Sequence, residues 1–149
     1  IHPWFRRPLL IAIRGDSVHP SNLATEPWPE PVNGPYDLRT LGEMESDLDA
    51  TWSNLTEPAV ELHWPEQRVR AVMRIAAPTS YVVAASPGSI DAIAVEAETH
   101  APQGLRRMLE DEPGGLTRLD PGQTLRLRVE LAFDQVDHDS GRESLGTSL

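Results

Sequence analysis

Residues 59–76 alternate between apolar and polar side chains on both sides of a turn. The first run is Val60-Glu61-Leu62-His63-Trp64, a turn follows at Pro65-Glu66-Gln67, and a second alternating run extends from Val69 to Ile75. A period of two is the pattern of a strand with one buried face and one solvated face, whereas a helix repeats every 3.6 residues. These residues therefore predict an antiparallel β-hairpin.

Turn-forming residues divide the rest of the chain into short segments. Fourteen prolines and ten glycines among 149 residues favour turns and short strands over long helices. The chain is therefore predicted to be all-β, an antiparallel β-sandwich over residues 1–134, with a polar, disordered tail over residues 135–149. The predicted segments are strands at Leu9–Arg14, Ala50–Trp52, Tyr81–Ala85, Ala92–Ala97 and Leu125–Phe133, a turn at Gly15-Asp16, a loop at Val18–Pro35 and a short helix at Leu105–Leu109.

The charge and composition limit the classes of partner. A net charge of −10 and a pI of about 4.8 argue against binding to nucleic acid or to an anionic membrane, both of which require basic patches. No apolar stretch approaches the ~18 residues of a membrane span. The absence of cysteine excludes a disulfide framework and thiolate chemistry, and it fits a cytoplasmic location as well as any other compartment. A neutral, small ligand suits this composition best.

One acid interrupts an apolar segment. Residues 92–97 read Ala-Ile-Ala-Val-Glu-Ala, so Glu96 is predicted to lie on a strand among small apolar side chains. Burial of a carboxylate costs several kcal/mol unless it is paired or hydrogen-bonded. Such a strand is typical of a cleft floor, where the acid can act as a general base. Taken alone, the simpler interpretation is an acid that meets water.

Two further residues are candidates for a site. His2 is followed by Pro3-Trp4-Phe5, which would hold the imidazole rigidly, as acid–base chemistry requires. The simpler interpretation is a frayed terminal histidine. Asp49, together with Asp47, would place two carboxylates on one face of a strand, or would simply be solvated. The five histidines show no metal-binding spacing, so no metal site is predicted.

Four segments together resemble the aldose 1-epimerase (galactose mutarotase) family, in the order in which that family has them. The resemblance runs from His2 to about Phe133 and corresponds to the C-terminal half of the family. The segments are His2-Pro3-Trp4-Phe5, Leu48-Asp49-Ala50-Thr51-Trp52, residues 91–102 around Glu96, and Pro121-Gly122-Gln123-Thr124-Leu125.

The resemblance implies a mutarotase-like β-sandwich with a sugar cleft on one concave face. It also implies that Glu96 is the general base for the anomeric hydroxyl, that His2 is the general acid for the ring oxygen, and that Asp49 binds sugar hydroxyls. The implied activity is interconversion of the α and β anomers of an aldohexose such as glucose or galactose, without metal or cofactor. A hexose 6-phosphate epimerase is a variant of this activity, for which Arg6 and Arg7 are the obvious cationic candidates.

The chain departs from the family pattern in two respects. Ala97-Glu98 stands where the family has Pro-Gln, which puts a second carboxylate on the face of Glu96. The family's N-terminal half, with a further histidine and an arginine, has no counterpart here, so the resemblance implies a missing N-terminal half or a second chain as partner. The alternative functions are a non-catalytic carbohydrate-binding module on the same scaffold and a structural fragment with no function of its own.

Overall fold

A computed structural model of the protein describes residues 2–20 and 28–136. Within these residues eight strands form one antiparallel sheet, accompanied by a 3₁₀ turn at Gly34–Tyr36 and one short helix, α1, at Gly104–Leu109. The all-β prediction is confirmed, and the sandwich architecture stays a prediction. The strands are β1 Trp4–Arg6, β2 Leu10–Pro20, β3 Glu30–Pro31, β4 Leu48–Trp64, β5 Val69–Ala76, β6 Tyr81–Ser86, β7 Ala92–Glu98 and β8 Arg128–Gln135.

The two longest strands, β2 and β4, are shared by two parts of the sheet. The first half of β4 pairs with β6, and its second half pairs with β5, while β2 runs beside both halves. The strand order is therefore β1-β7-β6-β4-β2-β3 in the first part, and β5 followed by β8 extends from β4 in the second. This arrangement places β8 at an edge of the sheet.

A change of register between Ile13 and Gly15 separates the two parts. Ile13 pairs with Val60 and Gly15 with Leu55, so the chain of β4 carries extra residues at this point. A bulge of this kind bends the longer strand. A Cβ on Gly15 would lie 2.9 Å from the backbone oxygen of Ser53, so the close approach of β2 to β4 requires glycine here.

One hydrophobic core joins the two parts. The indole of Trp64, at the end of β4, lies with its centroid 6.1 Å from the ring of Phe5 in β1, and its Nε1–H donates to the backbone oxygen of Arg6 at 2.8 Å. These contacts connect β1 with the far end of β4. The largest fully buried side chains of the core include Trp52, Ile11, Ile13, Leu62, Ile93, Val18, Val60, Val82 and Val95.

Most of the predicted strands and the short helix are confirmed, and one predicted turn is wrong. The hairpin of β4 and β5, the strands at Tyr81 and Ala92 and the short helix all form. The turn predicted at Gly15-Asp16 does not form, because β4 continues beside β2 and pairs with it as far as Pro20. The loop predicted at Val18–Pro35 is wrong at its start, because residues 18–20 belong to β2 and pair with β4, and residues 21–27 of this loop lie outside the described residues.

The closing strand differs most from its prediction. It begins at Arg128 rather than at Leu125 and extends to Gln135, and the N–H of Val136 donates to the Arg68 oxygen at 2.9 Å. Gln135, the first residue of the predicted polar tail, therefore belongs to β8, and the prediction for residues 137–149 lies outside the described part of the chain. Its alternating apolar residues were predicted to face one way, and most of them are exposed.

None of the helices in residues 2–20 and 28–136 has the length and apolar character needed to cross a membrane.

Candidate functional site

The alternation of β7 places Glu96 on the face opposite the core. Ile93 and Val95 point into the core, and both are fully buried. Ala94, Glu96 and Glu98 therefore lie on the other face of the strand. The Glu96 side chain retains 15% of its exposure. The period of two thus carries the acid out of the hydrophobic core, although its side chain stays largely covered.

Strand register brings other polar residues onto the same face. Residues directly opposite one another in an antiparallel sheet point to the same side. Glu96 is opposite Val83, Val83 is opposite Thr51, and Thr51 is opposite His19, which forms one row across four strands. A neighbouring row contains Asp49, Ala85, Ala94 and Trp4, and a third pairs Glu98 with Tyr81. We call this surface the polar face; its members are His2, Trp4, His19, Asp49, Thr51, Tyr81, Val83, Ala85, Ala94, Glu96 and Glu98.

His2 and Glu96 are in direct contact on the polar face. His2 Nδ1 lies 2.6 Å from Glu96 Oε2. The contact is supported by the backbone: Trp4 is opposite Ala94, and the N–H of Val95 donates to the Pro3 oxygen at 3.1 Å. Continuing this register places His2 opposite Glu96. The two side chains differ in freedom, since the imidazole is 71% exposed and the carboxylate is largely covered.

Two acids near Glu96 hold their protons more firmly than usual. Burial raises the pKa of Glu98, and the negative charge of Glu96 adds to this, whereas His100 and His2 counteract it. Burial raises the pKa of Asp49 as well, although this residue remains accessible to solvent, and the charge of Glu96 again adds to the effect. The coupling of both acids to Glu96 indicates that the three carboxyl groups share one electrostatic environment.

The far end of the polar face is covered by α1. The ring of Tyr81 meets that of His19 edge-on with centroids 6.3 Å apart. Burial lowers the pKa of His19, and the Arg107 guanidinium, carried by α1, lowers it further. The Thr51 backbone lies close enough to favour the protonated ring, but neither nitrogen of His19 makes a hydrogen bond of normal geometry to any of the described residues. Arg107 itself is buried and donates to the Pro113 oxygen at 2.8 Å.

An open cavity of about 500 Å³ adjoins the His2–Glu96 pair. Glu96 and Pro3 line it on one side, and Met73 and the apolar side chains of β8 line it on the other. A monosaccharide is small enough for such a volume. In the described part of the chain no group of three histidine or acidic side chains is arranged to hold a metal ion.

Comparison of this chain with protein-family models, with curated proteins and with solved structures finds no match.

All three predicted site residues lie on one surface. His2 and Glu96 touch, and Asp49 lies two strands from Glu96 in the adjacent row. Sequence reasoning anticipated Glu98, because a spacing of two on a strand places it on the face of Glu96. It missed His19, because this residue was assigned to a loop. A stronger signal would have been the alternation in residues 17–20, where Val18 points into the core and His19 away from it.

Proposed function

We propose that the protein is an aldose 1-epimerase-like isomerase, which interconverts the anomers of an aldohexose on the polar face. The observation that carries this proposal is the 2.6 Å contact between His2 and Glu96. An imidazole and a carboxylate that are far apart in the chain meet on a surface with small side chains at its centre, and a second acid, Asp49, lies on the same surface two strands away. The resemblance of the four sequence segments supports the same assignment.

The reaction requires one base and one acid. In the proposed mechanism the Glu96 carboxylate takes the proton from the anomeric hydroxyl, and the His2 imidazolium gives a proton to the ring oxygen. The bond between the anomeric carbon and the ring oxygen breaks, and the aldehyde forms. Rotation about the adjacent carbon–carbon bond and closure on the other face of the carbonyl produce the second anomer, with the protons returned. Each well-placed acid or base contributes about 10²–10⁴-fold to such a rate.

The acid and base must separate to admit the sugar. Two groups at 2.6 Å hydrogen-bond to each other, and they cannot at the same time flank the two oxygens of a hemiacetal carbon. The His2 side chain is mostly exposed and can rotate away from the pair, whereas the Glu96 side chain is largely buried and stays in place. Substrate hydroxyls would then replace the imidazole as partners of the carboxylate, with Asp49 as a further acceptor.

A second candidate is a carbohydrate-binding module without catalysis. The closed His2–Glu96 pair favours it, because a pair that stays closed leaves no position for a sugar between acid and base. Trp4 also favours it. This side chain is 50% exposed beside Ala94 on the polar face and offers an apolar surface to a sugar ring.

An exchange measurement separates the two candidates. Saturation-transfer NMR of glucose and of galactose reports exchange between the α and β anomers, and titration of the same sugars reports binding. The isomerase proposal predicts protein-dependent exchange that falls at least about 100-fold in Glu96→Gln and is unchanged in Glu66→Gln, an exposed control. Binding without exchange would instead establish the carbohydrate-binding module. The absence of both would reject the two candidates.

We also propose a cytoplasmic location for this activity, which the cysteine-free composition supports.

A further inference from the structure

Strand β8 presents an unpaired edge and an exposed apolar stripe. Within the described residues β8 pairs only with β5, through register contacts that run from Arg128 to Gln135. On one face Val129 is 44% exposed and Phe133 is 56% exposed, with the half-buried Leu131 between them. A strand edge with free backbone N–H and C=O groups is a template for pairing with another strand.

The stripe lines two open cavities. Val129 and Leu131 form one wall of the cavity of about 500 Å³ beside Glu96. Phe133 forms part of a second cavity, of about 620 Å³, next to Trp64 and Val69. The ring of Phe133 stacks on that of Trp64 with centroids 6.5 Å apart. The apolar surface thus continues from β8 onto its neighbours, which is typical of an interaction surface rather than of scattered exposed residues.

The charged residues on the other face of β8 are Arg128, Glu130 and Asp134, and they indicate that β8 of a second copy can pair with this edge. Consider β8 of a second copy, running antiparallel, with Leu131 of each copy on the two-fold axis. Arg128 of one copy then lies opposite Asp134 of the other, and Val129 lies opposite Phe133; each match occurs twice because the axis repeats it. This register pairs nearly the whole length of the strand.

Other registers satisfy the strand less well. Centring on Glu130 would place two glutamates opposite each other, and like charges in that position destabilise a sheet. Centring on Val129 would pair Arg128 with Glu130 but leave Asp134 beyond the paired region. Sliding one strand by a single residue along the other would pair odd-numbered with even-numbered positions and put the two apolar stripes on opposite faces.

We propose that the chain forms a two-fold dimer by antiparallel pairing of β8 with β8 of a second copy, in the register that places Arg128 opposite Asp134. The dimer extends the apolar wall of both cavities with the stripe of the second copy. It also removes a free edge and covers apolar surface that a monomer exposes. The proposal is independent of the isomerase activity, because none of its pairs uses His2, Asp49 or Glu96.

Charge exchange across the pair tests both the dimer and its register. Sedimentation equilibrium of the full chain, from low micromolar to submillimolar concentration, is expected to show a monomer–dimer equilibrium. Ionic strength of about 0.15 M limits the mutual repulsion of two copies that each carry a net charge of −10. R128D and D134R should each weaken the dimer by roughly 10-fold, since two attractive pairs become repulsive. The double variant R128D/D134R should recover most of the affinity.

R126D is the matched control. It makes the same charge change two residues before Arg128, outside β8, where the proposed register offers only the uncharged Val136 of the second copy, so its dimer constant should stay within about 3-fold of wild type. The side chains of Arg126, Arg128 and Asp134 are exposed, and thermal unfolding confirms that each variant folds. A chain that is monomeric throughout, one that forms open-ended aggregates, or a dimer that R128D and D134R leave unchanged overturns the proposal. Failure of the double variant to recover affinity rejects the register.

Discussion

Removal of His2 and Glu96 singly and together tests whether the two side chains act as one catalytic unit. The single changes His2→Asn and Glu96→Gln remove the acid and the base with little change in size. Each is expected to lower the anomer exchange rate at least about 100-fold, which corresponds to about 2.7 kcal/mol of transition-state stabilisation. Independent contributions would multiply in the double variant to about 10⁴-fold, or about 5.4 kcal/mol.

The geometry predicts a smaller combined effect. The two side chains touch at 2.6 Å. The proposed ring opening needs a proton removed from the anomeric hydroxyl and a proton delivered to the ring oxygen, two atoms that are bonded to the same carbon. Groups that act together in this way are strongly non-additive. The double variant should therefore be about as slow as the slower single variant, with a coupling energy close to the whole 2.7 kcal/mol.

The assay is saturation-transfer NMR at a substrate concentration well below saturation, so that the rate reports kcat/KM. His63→Asn and Glu66→Gln are matched controls, since they make the same chemical changes away from the polar face and should stay within about 2-fold of wild type. Thermal unfolding confirms that each variant folds. Exchange rates that multiply in the double variant would refute the paired mechanism, and a rate that His2→Asn leaves unchanged would remove the histidine from it.

Two predictions concern stability. Because the fold raises the pKa of Glu98, the free energy of unfolding falls as pH rises from about 4.5 through that raised pKa, and Glu98→Gln abolishes this fall. Thermal unfolding across pH should show the variant to be more stable than wild type at pH 7 and equally stable at pH 3, and a loss of stability at pH 7 would contradict the argument. Gly15→Ala should lower the free energy of unfolding in urea by about 1–3 kcal/mol, because the added Cβ would contact β4. Gly42→Ala is the control and should have almost no effect, because its nearest new contact is 3.9 Å away. Equal effects of the two changes would count against a steric requirement for glycine at residue 15.

Sequence reasoning succeeded where the pattern is local. The hairpin of β4 and β5 was predicted because Val60, Leu62 and Trp64 alternate with polar residues and a proline turn follows. Alternation indicates which face of the strand each residue occupies, and this pattern is visible in the few residues of the strand itself. The same reasoning placed Glu98 on the face of Glu96 without any knowledge of neighbouring strands.

Local patterns failed where a neighbouring strand overrides them. Gly15-Asp16 has the composition of a turn, yet β2 passes through it as a strand, because hydrogen bonds to β4 outweigh a weak local preference. The closing strand shows the opposite case. Its alternation correctly predicts a strand with an apolar face. Whether that face is buried depends on whether another layer of the protein covers it.

Chemistry-bearing residues and strand character are therefore properties of short segments, and His2, Asp49 and Glu96 could be singled out from them. Their meeting on one surface is a property of strand order and register, which no segment of this chain contains. Strands β1 and β7 had to pair in a particular alignment before the imidazole reached the carboxylate. The exposure of β8 follows from the same source, since the position of a strand within a sheet decides whether its apolar side chains are covered or left open to a partner.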